Sequence, residues 1–249
     1  MRIGFCGMTH LGQTLKTASE IRGFDTELTG PHLPSGRAER CDIVFVTQDV
    51  QAHDDLSEVE TCMAWAVGLP NHIPIVLVSQ VPPGFTRPWL KKRGNIFYQV
   101  DTIIMNRALE RATLPERFIV GCEPHNEFLR MRPTNLPVAY MQHTATFYAK
   151  YLTAFNCPVI TMNFESAELS KLAINYYLAK QVEATNALAA VARHIGADWD
   201  EMIPGLRLDA RIGAHAYIRP GEAGGHLPRD VRTIERLLSI AREDGRSPL

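Results

Sequence analysis

The sequence predicts an α/β protein: a Rossmann-like, doubly wound parallel sheet followed by an all-helical segment with one long helix. Three observations predict it. Short, almost wholly apolar runs such as DIVFVT (42–47) and IPIVLV (73–78) have the character of parallel strands buried on both faces. They alternate with stretches of helical spacing, and right-handed crossovers place such helices on both faces of a sheet. From Glu165 the pattern changes to about 30 residues of uninterrupted helical spacing.

The elements follow in order. Arg2–Cys6 is an apolar run closed by Gly7, and His10–Arg22 carries Leu11, Leu15 and Ile21 at helical spacing before Gly23, so the chain opens strand, turn, helix. Thr26–Thr29 is expected as a second strand and Asp42–Thr47 as a third. The stretch between them, GPHLPSGRAER, is too short and too rich in Gly and Pro for a crossover helix. Glu58–Val67 reads as a helix, Ile73–Val78 as a strand, Pro82-Pro83-Gly84 as the turn after it, and Phe97–Val100 and Phe118–Val120 as further strands. Residues 124–157 match no usable motif beyond a helix near Thr144–Phe155, and their His125, Tyr140 and His143 either line a pocket or pack. Pro158–Met162 is the last strand. The long helix has Asn163 as candidate N-cap, Gly196 at its C-terminal end, and apolar side chains at 169, 172, 176, 188, 191 and 195. A helix of that length exceeds what the sheet can cover, which predicts packing on a second copy of the chain. A short helix around Asp198–Leu206, a Gly-rich loop at Arg219–His226 and an amphipathic helix at Asp230–Arg242 complete the chain. The expected domains are 1–162, of dinucleotide-binding type, and 163–249, a helical dimerisation segment.

With 45% hydrophobic residues among 249, the chain can bury a sizeable core. Its net charge of −1 provides no basic field for nucleic acid or an anionic membrane, so an anionic ligand must be held locally. Five cysteines without a CxxC pair read as buried, inert thiols in a reduced cytoplasm, and the chain runs from Met1 directly into a strand rather than into a leader. No run of about 18 apolar residues occurs, so no membrane span is expected.

Three stretches in order, VSQVPPGFTR (78–87), ESAELSKLAINYYLAK (165–180) and LDARIGAHAYIRPGEAGGHLPRD (208–230), are weak singly and specific together. On them the chain resembles the UDP-glucose/GDP-mannose dehydrogenase family, up to Asp230 and its helix. The resemblance implies NAD or NADP as cofactor, a phosphate-bearing sugar or nucleotide as substrate, and a homodimer. It also leads one to expect that the family's C-terminal nucleotide-sugar-binding domain is lacking. GMTHLG (7–12) sits where a G-x-G-x-x-G turn would, making Gly7, Thr9, His10, Leu11 and Gly12 the candidate cofactor-binding residues. Thr9 replaces the glycine that lets a pyrophosphate approach the backbone; either its hydroxyl and the helix amides bind phosphate, or the turn no longer binds. Gly30 stands where an acidic residue would hold the ribose. Nearby Arg37 and Arg40 would suit the extra phosphate of NADP, or else are solvated surface charges.

The family's reaction is a double oxidation in which a cysteine holds the aldehyde and then an acyl group, in a loop resembling G-x-G-G-S-C-F-P-K-D. The corresponding stretch here runs from Gly221 to Asp230 and puts His226 in the cysteine's place, after Gly224 and Gly225. An imidazole cannot carry that acyl group, so the four-electron reaction is expected to be lost. By resemblance Lys171 and Asn175, four residues apart and so on one helix face, and Asp230 keep catalytic roles. Asp101, a further catalytic candidate, aligns with a family glutamate, and Gln80, a further cofactor-binding candidate, with a threonine; Gly224 and Gly225 are candidates for binding substrate. His226, with its ordinary pKa near neutrality, is a candidate general base for one two-electron step. Arg211 and Arg219 are candidates for substrate phosphate. Plain alternatives exist for each: a solvated lysine at 171, a helix cap at 230, a structural loop residue at 226. A non-catalytic nucleotide-binding scaffold and a non-redox acid–base enzyme are the rival functions.

Overall fold

The computed structural model describes residues 1–7, 9–34, 36–50, 55–103, 105–123, 143–222 and 227–244. Its seven strands are β1 (Arg2–Cys6), β2 (Asp25–Thr29), β3 (Ile43–Val46), β4 (Ile75–Leu77), β5 (Ile96–Gln99), β6 (Phe118–Gly121) and β7 (Val159–Met162). Its α-helices are α1 (His10–Ile21), α2 (Ser57–Val67), α3 (Arg87–Leu90), α4 (Ala108–Thr113), α5 (His143–Thr153), α6 (Phe164–Ile195), α7 (Trp199–Leu208) and α8 (Leu227–Glu243). The chain forms two compact units, Met1–Lys171 and Leu172–Leu249.

The first unit is one sheet in the order β2-β1-β3-β4-β5-β6-β7 with helices, the α/β architecture the apolar runs predict. Every residue of β3, β4, β5 and β6 is buried, as strands covered on both faces must be. All neighbours pair in parallel except β5 and β6, which are antiparallel. β5 and β6 are joined by 100–117, whose described residues hold a 3₁₀ turn and the six-residue α4. Among the described residues between β2 and β3 the one helical turn is the 3₁₀ segment Ala38–Arg40, consistent with the Gly/Pro-rich stretch. Without a crossover helix there, β3 lands beside β1, opposite β2. The direction of winding therefore reverses between β1 and β3, the kind of place where open α/β sheets bind their ligands.

On one face α1 contributes Leu11 and Leu15 to a core with Ile3, Phe5, Phe45, Val76 and Phe97. α5 covers the same core with Tyr148 and Tyr151, joined by Phe155 just past its end; the Tyr151 ring lies 4.7 Å from that of Phe45, and the Tyr148 hydroxyl donates to Gln99 at 3.0 Å. The stretch the sequence left without a motif thus supplies packing through its described helix. His125 and Tyr140 lie outside the described residues, as does the side chain of His143. Cys6, Cys41, Cys62 and Cys122 are buried and all five cysteines are free; burial pushes the Cys41 thiol up to about 11 and holds it inert.

The second unit is helical. Its loop 209–222 is fastened along α6: Thr185 donates to the Tyr217 carbonyl at 2.7 Å, Gln181 accepts from the Tyr217 amide at 3.0 Å, and Asn186 and Gly221 exchange bonds of 2.7 and 2.9 Å. Trp199 adds its indole N–H to the Ile218 carbonyl at 2.9 Å. Asn163 caps α6 by accepting from the Ser166 amide at 2.9 Å, and Gly196 takes the left-handed conformation past its end, φ +79°. Among the described residues no helix is long and apolar enough to cross a membrane.

One buried cation holds the α2–β4 corner. Arg93, only 4% exposed, donates to the carbonyls of Leu69 at 2.5 Å and Pro70 at 2.6 Å, and also to that of Ile73. These acceptors include the chain just past the C-terminal end of α2, where partial negative charge gathers. Arg93→Met keeps the stem but orphans these acceptors, and a loss of about 3 kcal/mol is expected from urea unfolding, at the upper end for unsatisfied buried groups.

Candidate functional site

The turn between β1 and α1 lies at the winding reversal. Gly7 adopts φ +116°, and a Cβ there would stand 2.8 Å from the Gln48 amide nitrogen; at Gly12 it would stand 2.2 Å from the Gly7 carbonyl oxygen. Both glycines are therefore required for the close approach of helix to strand. Thr9 is the N-cap of α1, accepting from the Gly12 amide at 3.3 Å, while its hydroxyl donates to the Thr47 carbonyl at 2.7 Å. Its one proton is thus engaged by the end of β3 rather than open to a phosphate oxygen. His10 is exposed and Leu11 is buried in the core. The turn and the amino end of α1 fit the pyrophosphate of a dinucleotide in their backbone, with the Thr9 Cβ as the departure.

At the end of β2, Gly30 has φ +149° and no carboxylate replaces the expected acid. Arg37 pairs with Glu27 at 3.2 Å and Arg40 donates to the Gly36 carbonyl at 3.3 Å, so both guanidinium groups already have local acceptors.

Beyond the carboxyl ends of β4 and β5 the first unit brings three of the expected residues together. Gln80 donates to Oδ2 of Asp101 at 3.0 Å, the Ile103 amide donates to Oδ1 at 2.8 Å, and the Lys171 ammonium lies 3.8 Å from Oδ2. Asp101 and Lys171 are 7% and 8% exposed, so their charges face each other largely away from water. One helical turn before Lys171, Glu168 is fully buried and accepts from the amides of Gly84 at 2.6 Å and Thr86 at 2.8 Å. Burial pushes its carboxyl above the usual range, against the pull of those amide donors. A further turn back, Glu165 pairs with Arg87, which also meets Glu123 at 2.9 Å.

In the second unit Asn175 donates its amide to Oδ2 of Asp230 at 2.5 Å, and Arg229 donates to Oδ1 at 2.7 Å. Asp230 is fully buried inside the first turn of α8, which begins at Leu227 rather than at 230 itself. Arg211 is exposed and bound to Asp209 at 2.6 Å, and Arg219 is exposed. Gly224, Gly225 and His226 lie outside the described residues. Glu168 and Arg229 were not among the expected site residues. A signal for Glu168 existed: an acid at i−3 from Lys171, on the same side of the helix.

Residues 165–247 match the model of the UDP-glucose/GDP-mannose dehydrogenase family, central domain. UDP-glucose 6-dehydrogenase TuaD of Bacillus subtilis is 37% identical over 93 residues, covering 36% of this chain and 19% of that protein. UDP-glucose 6-dehydrogenase of Rickettsia prowazekii is 25% identical over 236 residues, 91% of this chain and 48% of that protein. The chain spans about half the length of the latter relative. A UDP-glucose dehydrogenase from Pyrobaculum islandicum shares the fold with a TM-score of 0.69 at 19% identity, over 98% of this chain and 64% of that one. The GDP-mannose dehydrogenase of Pseudomonas aeruginosa does so with a TM-score of 0.68 at 18% identity, over 97% and 65%. Residues 165–247 are thus similar to that family's central domain, and the chain shares its fold with nucleotide-sugar dehydrogenases.

A buried opposite-charge pair should be energetically coupled. In a double-mutant cycle of Asp101→Asn and Lys171→Met, unfolding free energies are expected to be non-additive by about 1–2 kcal/mol; additivity would show that the two charges do not interact.

Proposed function

We propose that this chain is a nicotinamide-dependent oxidoreductase of nucleotide-sugar-dehydrogenase type that performs one two-electron oxidation of a phosphate-bearing sugar or nucleotide. The observation that carries the reading is the dry Asp101–Lys171 pair, braced by Gln80, at the carboxyl edge of the sheet. Open α/β sheets bind their ligands beyond that edge, and a lysine held beside a carboxylate is suited to an oxygen on which negative charge develops.

Gly7 to Gly12 would hold the dinucleotide by backbone amides at the amino end of α1. A bound nicotinamide, NAD or NADP, supplies the hydride acceptor. Lys171 donates a hydrogen bond to the reacting oxygen, Asp101 orients that ammonium, and Gln80 fixes the Asp101 carboxylate. Asn175 is held by Asp230, whose two oxygens are both occupied by donors, so Asp230 orients and His226 takes the substrate hydroxyl proton. Because histidine stands where the family places its thiol, the product is a carbonyl compound and the acyl step does not follow. Arg211 and Arg219 are the surface cations assigned to substrate phosphate.

A homodimer in the cytoplasm completes the reading. Along the later turns of α6, Tyr177 is 71%, Leu188 53%, Val191 54% and Ile195 70% exposed, an apolar run suited to a second copy. Leu188→Glu with Ile195→Glu is expected to convert the sedimenting dimer to monomer. The engagement of Thr9 and the lack of an acid at Gly30 favour, as a second reading, a non-catalytic nucleotide-binding scaffold.

Thermal shift separates these readings, since a ligand of the native state at about 100 times its Kd adds about 2.7 kcal/mol. Stabilisation by NAD(H) or NADP(H) is expected. Stabilisation by mononucleotides alone, or by nothing, would discard the dehydrogenase reading. With cofactor and sugar nucleotides the product should be aldehyde or ketone, and His226→Ala should remove turnover while leaving the thermal shift intact; formation of acid would refute the single step.

A further inference from the structure

We infer that Glu168 is a positioning residue for Lys171: its buried carboxylate latches the 82–86 loop onto the helical turn that carries the lysine, and so fixes the ammonium against Asp101. The inference rests on the proposed function only in treating Lys171 as a working group.

Three rungs tie the first turns of α6 to the sheet edge, at Glu165, Glu168 and Lys171. The spacing is i, i+3, i+6, which keeps all three along one side of the helix. The outermost rung, Glu165 with Arg87, is exposed at both side chains and is screened by water. The innermost is the long 3.8 Å contact of Lys171 with Asp101, too loose to orient a helix by itself. Only the middle rung is both dry and directional, with two amide bonds of 2.6 and 2.8 Å, one to each oxygen of the same carboxylate.

The loop it grips turns on itself, the Phe85 amide donating to the Pro82 carbonyl at 3.2 Å, and is followed by Arg87 with its exposed ion pairs. Pro82 and Pro83 carry no amide N–H, and Gly84 sits at φ +93°, a conformation that L side chains rarely adopt. Gly84 and Thr86 are the amides this segment offers to Glu168. The same segment follows Gln80, which donates to Asp101, so one loop carries the partner of Glu168 and a partner of Asp101 together. Simple adhesion would not require a carboxylate, because apolar side chains of similar volume hold such a place without the desolvation penalty. What two opposed amide bonds add is rotational register, and Lys171 is one turn away in that register.

The test uses the intact chain without cofactor. Glu168→Gln keeps size and one acceptor oxygen, places an NH₂ against one of the two amide donors, and leaves no unpaired charge. Hydrogen exchange reports the Gly84 and Thr86 amides, and pulse acylation with acetic anhydride across pH reports Lys171, with exposed Lys91 and Lys150 as references. Loss of one bond should speed exchange of those amides about tenfold and acylation of Lys171 about fivefold, with its pH midpoint displaced and the references unmoved. Glu165→Gln should change neither. Faster amides with an unchanged Lys171 profile would overturn the inference, as would unchanged amides or references that move with Lys171. If Glu168→Gln does not fold, Glu168→Asp, which retains the charge but retracts it by one methylene, is read by the same criteria. No readout needs turnover, so failure of nicotinamide binding would count against the dehydrogenase reading and leave this result standing.

Discussion

A carboxylate without any solvent contact must find its hydrogen bonds inside the protein or give up its charge. Glu168 finds them in the backbone of a loop 82 residues away in sequence, and this contact closes the fold around the region of interest. It joins the chain after β4 to the helix after β7, elements separated by two strands in the sheet order. Asp101, after β5, then has Gln80 on one side and Lys171 on the other. Without that closure, a polar cluster of Gln, Asp and Lys at a sheet edge would be three solvated side chains.

Gly7, Thr9 and Gly12 of the β1–α1 turn each have a packing role. Gly7 and Gly12 are explained by helix–strand proximity alone, since a methyl group at either place would collide with backbone. Thr9 is explained by capping and by its bond across to β3. The turn is therefore fully accounted for as architecture, and whatever affinity it has for phosphate must come from backbone amides and the α1 dipole.

Most of the fold was legible because burial on both faces writes itself as continuous apolar runs: IVFV and IVL became central strands, and the long helix from Glu165 was found with its cap at Asn163. The antiparallel step at β6 was not legible, because nothing in the run FIVG marks the direction in which that strand pairs. The pairing of Asp101 with Lys171 required tertiary proximity across 70 positions, although resemblance had named both. Glu168 was overlooked for a related reason: its partners are amide groups, which every residue but proline possesses and no sequence pattern marks.

β2 forms one border of the sheet with the run DTELT, and its Asp25 and Glu27 are engaged by Arg2 and Arg37. An outer strand so dressed is a poor template: a neighbouring chain adding there would have to strip water from two acidic groups and break their ion pairs. Self-association along that margin is thereby discouraged, and the molecule avoids growing into open-ended fibres by that route.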